Sequence, residues 1–362
     1  VRDGAPSALY EGVLQWSAKV SSWRGSELLA DDVPLTAGKY SDDESQSVPD
    51  QVELTVPRWD RGFDWKPGTN PEHPLAAHGQ ELVVSIVVTS VVTGDEYLTR
   101  MGRFQIQDWS EDTPGEIKLS TLGTFKVIAD DQIPSPLAPR PTGTFISEIR
   151  RLLPAGMGVE VSDAIVDRTV PQTLEFTDDR LKAVRDLVDG IPARIFADGY
   201  GQLQVEPPLE PVPVPILTYR DGERGTVVTV PSQGSRDGIF NRVIVRATDT
   251  DGIGQNPVLA IVDKTTGPFT VDPEGYRVKS RIWSSPFVVN TTQALAAGEK
   301  ILDQSLRPAR VVRVEMAPDP RAQIGDPVEV FFDGGREVGY VIATQHPLTT
   351  NDGSSFLDVG IL

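Results

Sequence analysis

Over the first third of the chain, hydrophobic and polar positions alternate with a period of two. Residues 51–56 (QVELTV) put Val52, Leu54 and Val56 on one face and end at Pro57, the pattern of a half-buried strand. Residues 81–93 and 97–109 flank Thr93, Gly94 and Asp95, a turn signal that predicts a hairpin. The apolar run 82–92 (LVVSIVVTSVV) is far shorter than the roughly 20 residues of a membrane-spanning helix. It is β-branched and broken by Ser and Thr, so it reads as a buried strand or strand pair. Residues 115–122 and 125–129 are predicted to follow as strands. Short strands split by Gly, Pro and Asp indicate a sandwich or small barrel.

The period then changes. Phe145, Ile146, Ile149, Leu152 and Leu153 fall at helical spacing before Pro154 and Gly156. A second helix is expected behind Thr177 as N-cap, with Asp178 and Asp179 in its first turn and Gly190 as the residue that ends it. Its apolar stripe is Leu181, Val184, Leu187 and Val188. Residues 193–206 predict a hairpin around Asp198 and Gly199. Beyond residue 213 strands are expected at 225–230, 241–247, 258–263 and 276–282. A helix follows, opened by Asn290 and Gln293 in a capping-box arrangement and stopped near Pro308. Alternation returns at 309–316, 327–332, 337–344 and 356–361, with a turn at Asp333, Gly334 and Gly335.

Proline punctuates this series at 132–143 and 205–215. Runs that lack N–H donors and fix φ favour extended connectors over ladder strands. The expected fold class is mainly β with small α+β insertions. The domain layout is 1–137, 138–212, a discontinuous unit of 213–250 and 309–362, and an inserted unit 251–308.

Composition narrows the chemistry. The 362 residues contain no Cys and three His, His73, His78 and His346. That removes thiol catalysis, disulfide scaffolds and cysteine metal sites, and leaves little for histidine chemistry. The histidines stand beside Pro, Ala and Gly and read as surface residues. Lys and Arg number 34 against 52 Asp and Glu, a formal charge of −18. Residues 1–135 carry 22 acidic and 11 basic side chains, so most of the excess sits there. Such a chain is poorly suited to gripping nucleic acid or an anionic membrane. The start, VRDGAPS, has no apolar core of a signal peptide, and the expectation is a soluble protein.

Specific motifs are few. Gly199 and Gly201 belong to a hairpin turn rather than a dinucleotide fingerprint, because they lie between two strands. Asp249, Asp251 and Gly252 begin like a calcium loop but lack its later ligands, including the twelfth-position Glu, and read as a solvated turn. Asp42, Asp43 and Glu44 read as an exposed acidic loop. The richest cluster is Trp59, Asp60, Arg61, Phe63, Asp64 and Trp65. Aromatic rings beside carboxylates and an arginine suit either an assembly contact or a sugar. With 52 acids present, paired carboxylates for glycoside hydrolysis are available, yet no spacing selects a pair. No catalytic residue, cofactor or metal site is expected.

Several phrases in a fixed order carry a resemblance. They are residues 54–60 (LTVPRWD), Pro74 and Leu75 before 79–82 (GQEL), 101–106 (MGRFQI), 191–203 (IPARIFADGYGQL) and 241–246 (NRVIVR). Later come the helix expected over 291–306, then 311–315 (VVRVE), Pro318 to Pro320, and 324–330 (IGDPVEV). Together they resemble the minor tail proteins, or tail-hub (baseplate-hub) family, of long-tailed actinobacterial phages. The resemblance implies two tube-like β-barrels, 1–137 and 213–250 with 309–362, and a structural, non-enzymatic virion protein. It further implies a homotrimeric ring at the distal end of the tail tube. Implied partners are a hexameric tube or distal-tail ring, a tip or central-fibre protein and the tape-measure protein. DNA would pass without specific binding. The alternatives are a carbohydrate-binding tail protein for host attachment, a cell-wall glycan hydrolase, or the equivalent hub of a contractile injection device.

Overall fold

The computed structural model describes residues 1–11, 14–230, 239–246, 257–285, 288, 290–306 and 311–361. Its first region holds β1 (Leu14–Arg24), β2 (Glu27–Ala30), β3 (Ala37–Asp43), β4 (Asp50–Pro57), β5 (Trp59–Asp60), β6 (Phe63–Asp64), β7 (Gln80–Ser90), β8 (Glu96–Ser110) and β9 (Glu116–Leu122). Next come α1 (Thr124–Asp130), α2 (Phe145–Leu152), β10 (Val159–Val161), α3 (Arg180–Gly190), β11 (Arg194–Ala197) and β12 (Leu203–Glu206). Then follow β13 (Leu217–Arg220), β14 (Val227–Thr229), β15 (Arg242–Arg246), β16 (Val258–Asp263), β17 (Ser280–Ser284) and α4 (Thr291–Leu306). The chain closes with β18 (Val311–Met316), β19 (Pro327–Phe332), β20 (Gly335–Pro347) and β21 (Ser355–Ile361). The protein is mainly β with small helical insertions.

Alternation in β4 turns Val52, Leu54 and Val56 inward, where each fully buried aliphatic side chain contributes about 1.5–3 kcal/mol. Residues 82–90 of the apolar run lie in one strand, β7, buried at most positions, while Val91 and Val92 fall in the turn beyond it and are exposed. Strand β7 is interior to the sheet, paired with both β1 and β8. Four hydrophobic clusters result among the described residues. One surrounds Tyr40, Val52, Ile86 and Phe104, and a second surrounds Phe125, Phe145, Val184 and Leu203. The third combines Leu217 and Tyr219 with Val314, Val328 and Val359. The fourth, from Val243, Val245, Ala294 and Leu302, interrupts the third in sequence.

One hydrogen-bonded sheet runs through the first and third clusters. Its order is β14-β18-β21-β20-β3-β4-β9-β8-β7-β1-β2, with β19 on β20 and β13 on β19. The join is β20 against β3, from Ala343 opposite Asp43 to Pro347 opposite Lys39. No local pattern announces it, because the partners lie about three hundred residues apart.

Several expectations are corrected. Residues 125–129 form helix α1 rather than a strand: Phe125 and Ile128, three apart on one face, are buried in the second cluster, and Lys126 pairs with Asp130 one turn on. Alternating Phe125, Val127 and Ala129 imitates a strand only until α3 supplies a surface to pack on. The α3 N-cap is Asp179, whose carboxylate accepts from the Lys182 N–H at 2.8 Å, rather than Thr177. Gly190 is the last helical residue, with Ile191 as C-cap. Its value lies in close approach, since a Cβ there would fall 2.3 Å from a Phe145 ring carbon. Gly190→Ala is therefore expected to cost about 1–3 kcal/mol in thermal or urea denaturation, as overpacked sites do. A gain of the ~1 kcal/mol of helix propensity would refute the packing role. Finally, the strand expected at 276–282 is β17, 280–284, and β13, parallel to β19, has no counterpart among the expected strands.

Candidate assembly surfaces

Trp59, Asp60, Phe63 and Asp64 form a two-strand hairpin, with Trp59 opposite Asp64 and Asp60 opposite Phe63. Arg61 and Gly62 turn it with φ of 48° and 82°, the positive values a two-residue type I′ turn requires. Arg58 anchors its base, donating to Asp64 at 3.2 Å and Glu111 at 3.1 Å, while Lys66 reaches Glu111 at 2.6 Å. Hydrogen bonds from Arg58 and Lys66 hold Asp64 and Glu111, respectively, below the usual carboxylate range. The hairpin separates the aromatic residues. Trp59 is 63 % exposed and Phe63 43 %, whereas Trp65 is 6 % exposed, edge-on to Phe63 at 4.8 Å. The exposed pair is thus Trp59 and Phe63, flanked by Arg61, which reaches Asp32 and Asp60.

Two histidines depart from the surface positions expected of them. His73 is buried beneath Phe63, its rings stacked at 5.5 Å, with Nε2 3.1 Å from the Asp64 carbonyl. His346, 1 % exposed, lies in the β20–β3 join, stacked on Tyr40 with Nδ1 3.0 Å from Ser355 Oγ. Burial, reinforced by Arg2, pushes its pKa down to about 3. A single strand position fixes which face a side chain takes, and at residue 346 that face is interior.

Around His346 sits a buried polar group drawn from three segments. Arg2 donates to the Ala322 carbonyl at 2.6 Å and to Tyr40 Oη at 2.8 Å, and Tyr40 donates to Asp42 at 3.1 Å. Asp42, expected in an exposed loop, is instead buried in β3 opposite Asp50. Burial, with Asp42 nearby, pushes Asp50 up to about 7. A cavity of about 210 Å³ adjoins this group, with Arg185, Arg194 and Lys300 arriving from the second and fourth clusters' segments. All four regions therefore meet at one polar centre.

A second network ties the amino-terminal segment to the carboxy-terminal strands. Arg321 donates to both Asp319 oxygens, at 2.8 and 2.7 Å, and to Ser7 Oγ at 2.8 Å. Its guanidinium covers the Tyr10 ring at 4.1 Å, and Tyr219 donates to Asp319 at 3.3 Å. Of these residues only Asp319, between Pro318 and Pro320, lies in one of the sequence phrases; nothing sets the others apart from the many Asp, Arg and Tyr side chains of the chain.

The face of the joined sheet turned away from the clusters is polar across the join. In register, Arg313, Asp358, Ala343 and Asp43 form one row. Asp108, Ser120, Glu53, Lys39 and Pro347 form another. Elsewhere, Val91, Val92 and Leu98 are exposed at the β7–β8 hairpin, and Val258, Ile261 and Ile282 on the β15–β17 sheet. Among the described residues no cluster of three His, Cys, Asp or Glu could hold a metal ion. No described helix is long and apolar enough to cross a membrane. Asp249, Asp251 and Gly252 lie outside the described residues.

No protein-family model matches the chain, and no curated protein matches it. Solved structures do share its fold. A tail protein from Neisseria meningitidis superposes with a TM-score of 0.65 at 14 % identity, covering 95 % of this chain and 96 % of that one. The 43 kDa tail protein of prophage MuSo2 from Shewanella oneidensis gives 0.61 at 14 % identity, covering 94 % and 98 %. A type VI secretion component from E. coli, described as structurally similar to the T4 phage tail proteins gp27 and gp5, gives 0.50 at 10 % identity, covering 96 % and 77 %.

Proposed function

We propose that this chain is a structural subunit of a phage tail, assembling as a homotrimeric ring at the distal end of the tail tube, and that it has no catalytic role. The observation that carries the reading is the end-to-end likeness to tail proteins, which takes in both β regions and the helical modules alike. On this reading the first region and the discontinuous third region are two tube-like barrels, with 138–212 and 251–308 as accessory units. Three chains then offer six barrel-like units to a hexameric tube or distal-tail ring above. A tip or central-fibre protein joins below, and the tape-measure protein enters from the tube. The β20–β3 ladder suits this role, because a shared sheet holds the two barrels in fixed register under load.

The polar rows across the join would face the channel. Residues 1–135 carry twice as many acidic as basic side chains, and carboxylates along a channel repel phosphates and let DNA slide without binding. The origin implied by the sequence phrases is a long-tailed phage of an actinobacterium. The likeness to a type VI component supports a second reading, the same hub in a contractile injection device. A sugar-binding role would rest on Trp59 and Phe63 alone, since Trp65 is buried.

Native mass measurement over a range of concentrations tests the assembly. The expected species is three times the protomer mass; a protomer mass at every concentration would refute the ring.

A further inference from the structure

The inserted sheet leaves a row of isoleucines uncovered. In β15, Val243 and Val245 face α4, where Val245 and Val262 close on the Cα of Gly298. The period of two therefore turns Ile244 to the opposite face. Ile261 of β16 and Ile282 of β17 stand in register on either side of it. Ile261 is 53 % and Ile282 57 % exposed, and Val258, opposite Arg246, is 50 % exposed. A sheet face meeting water ordinarily carries polar side chains; three aligned β-branched residues mark a contact surface.

Charge on this face is uneven. Arg242 is neutralised by Asp263, with two hydrogen bonds at 2.6 and 2.7 Å. Arg246, at the other end, makes no ion pair among the described residues, and its Nε has no hydrogen-bond partner. The complementary pattern stands at the tip of the β7–β8 hairpin. Val91, Val92 and Leu98 are 51, 88 and 52 % exposed, and exposed Asp95 and Glu96 lie between them without an ion pair among the described residues. That hairpin belongs to the large sheet, whereas β15, β16 and β17 form a separate three-stranded sheet.

We propose that the Ile244–Ile261–Ile282 face receives the β7–β8 hairpin tip of a neighbouring copy of this chain. Valine and leucine side chains cover the isoleucines, and Asp95 and Glu96 meet Arg246. Because the two patches differ and belong to different sheets, the contact is head-to-tail, and repetition around an axis closes a ring. The inference rests on the ring reading and assigns its subunit contact.

The absence of cysteine makes cross-linking specific. Full-length Val92→Cys and Ile282→Cys chains, both changed at exposed positions, are oxidised separately and as an equimolar mixture. The mixture is expected to yield a covalent dimer at least roughly tenfold above either variant alone, and the doubly substituted chain a covalent trimer. Arg246→Glu should weaken association about tenfold, a difference of ~1.4 kcal/mol, and Glu96→Arg should restore it. Self-linking of either single variant equal to that of the mixture would overturn the contact. So would an unlinked mixture whose native mass is still trimeric, which leaves the ring intact. A protomer mass throughout would overturn both. Ile261→Cys repeats the test from the adjacent strand.

Discussion

Arg321→Ala is expected to lower the free energy of unfolding by about 3–5 kcal/mol, the range for breaking a buried ion pair by removing one partner. Asp319 is 1 % exposed and takes both of its strong hydrogen bonds from Arg321. Without the guanidinium its charge is left with the backbone N–H of residue 321 at 3.2 Å and the Tyr219 hydroxyl at 3.3 Å. The loss also frees the amino-terminal segment, which Arg321 holds through Ser7 Oγ, the Ala5 carbonyl and the face of Tyr10. Arg321→Lys should recover little, because an ammonium cannot make the two parallel bonds to a carboxylate. The double change Arg321→Met with Asp319→Leu should be less damaging than Arg321→Ala alone, since no charge is then stranded. Urea denaturation followed by tryptophan fluorescence measures all three. A single-variant loss below about 1 kcal/mol would mean the network is not a structural tie.

Asp50 and His346 are expected to impose opposite pH dependences. Burial raises Asp50 to about 7 from an ordinary 3.8. Between those values the folded protein holds a proton that the unfolded chain has lost, so this group makes stability fall as pH rises. Burial lowers His346 from 6.5 to about 3. Between those values the unfolded chain holds the extra proton, so this group makes stability fall as pH drops. From about pH 4 to 6.5 the two slopes oppose each other in the wild type.

Single variants separate them. Relative to wild type, Asp50→Asn should gain stability progressively from about pH 4 to 7, and His346→Gln from about pH 6.5 down to 3. Each difference reaches roughly 4 kcal/mol at full extent. The groups facing this pair are Arg2, Tyr40 and Asp42, with Arg185 and Arg194 across the cavity. None of them is altered by either substitution. Difference curves flat across both windows would sink the assignment.

What the sequence made legible was whatever depends on neighbours in the chain. Alternation placed β4, β8, β16 and β19 to within a residue or two. The stripe from Phe145 to Leu152 and the cap at Asn290, whose side chain accepts from the Gln293 N–H at 2.9 Å, announced α2 and α4. The turn signals at Gly94 and Gly334 fell where φ is positive. The phrases pointing to tail proteins were legible for the same reason, being short and local.

The candidate site was less so. Trp59 and Trp65 are chemically equal in the sequence, yet the hairpin between them exposes one and buries the other. Asp42 and His346 looked like surface residues until β20 paired with β3 and enclosed them beside Arg2. Residues 125–129 became a helix only because α3 offered a face for Phe125 and Ile128.

The sequence by itself therefore determined the β-rich class, most element positions and the acidic bias of the first region. These follow from periodicity, backbone propensity and counting. The tertiary structure alone decided that two β regions share one sheet, that four clusters meet at a polar centre, and that an isoleucine row remains uncovered. Those outcomes depend on hydrogen bonds and burial between segments far apart in the chain, where closure entropy and packing, rather than local pattern, select the partner.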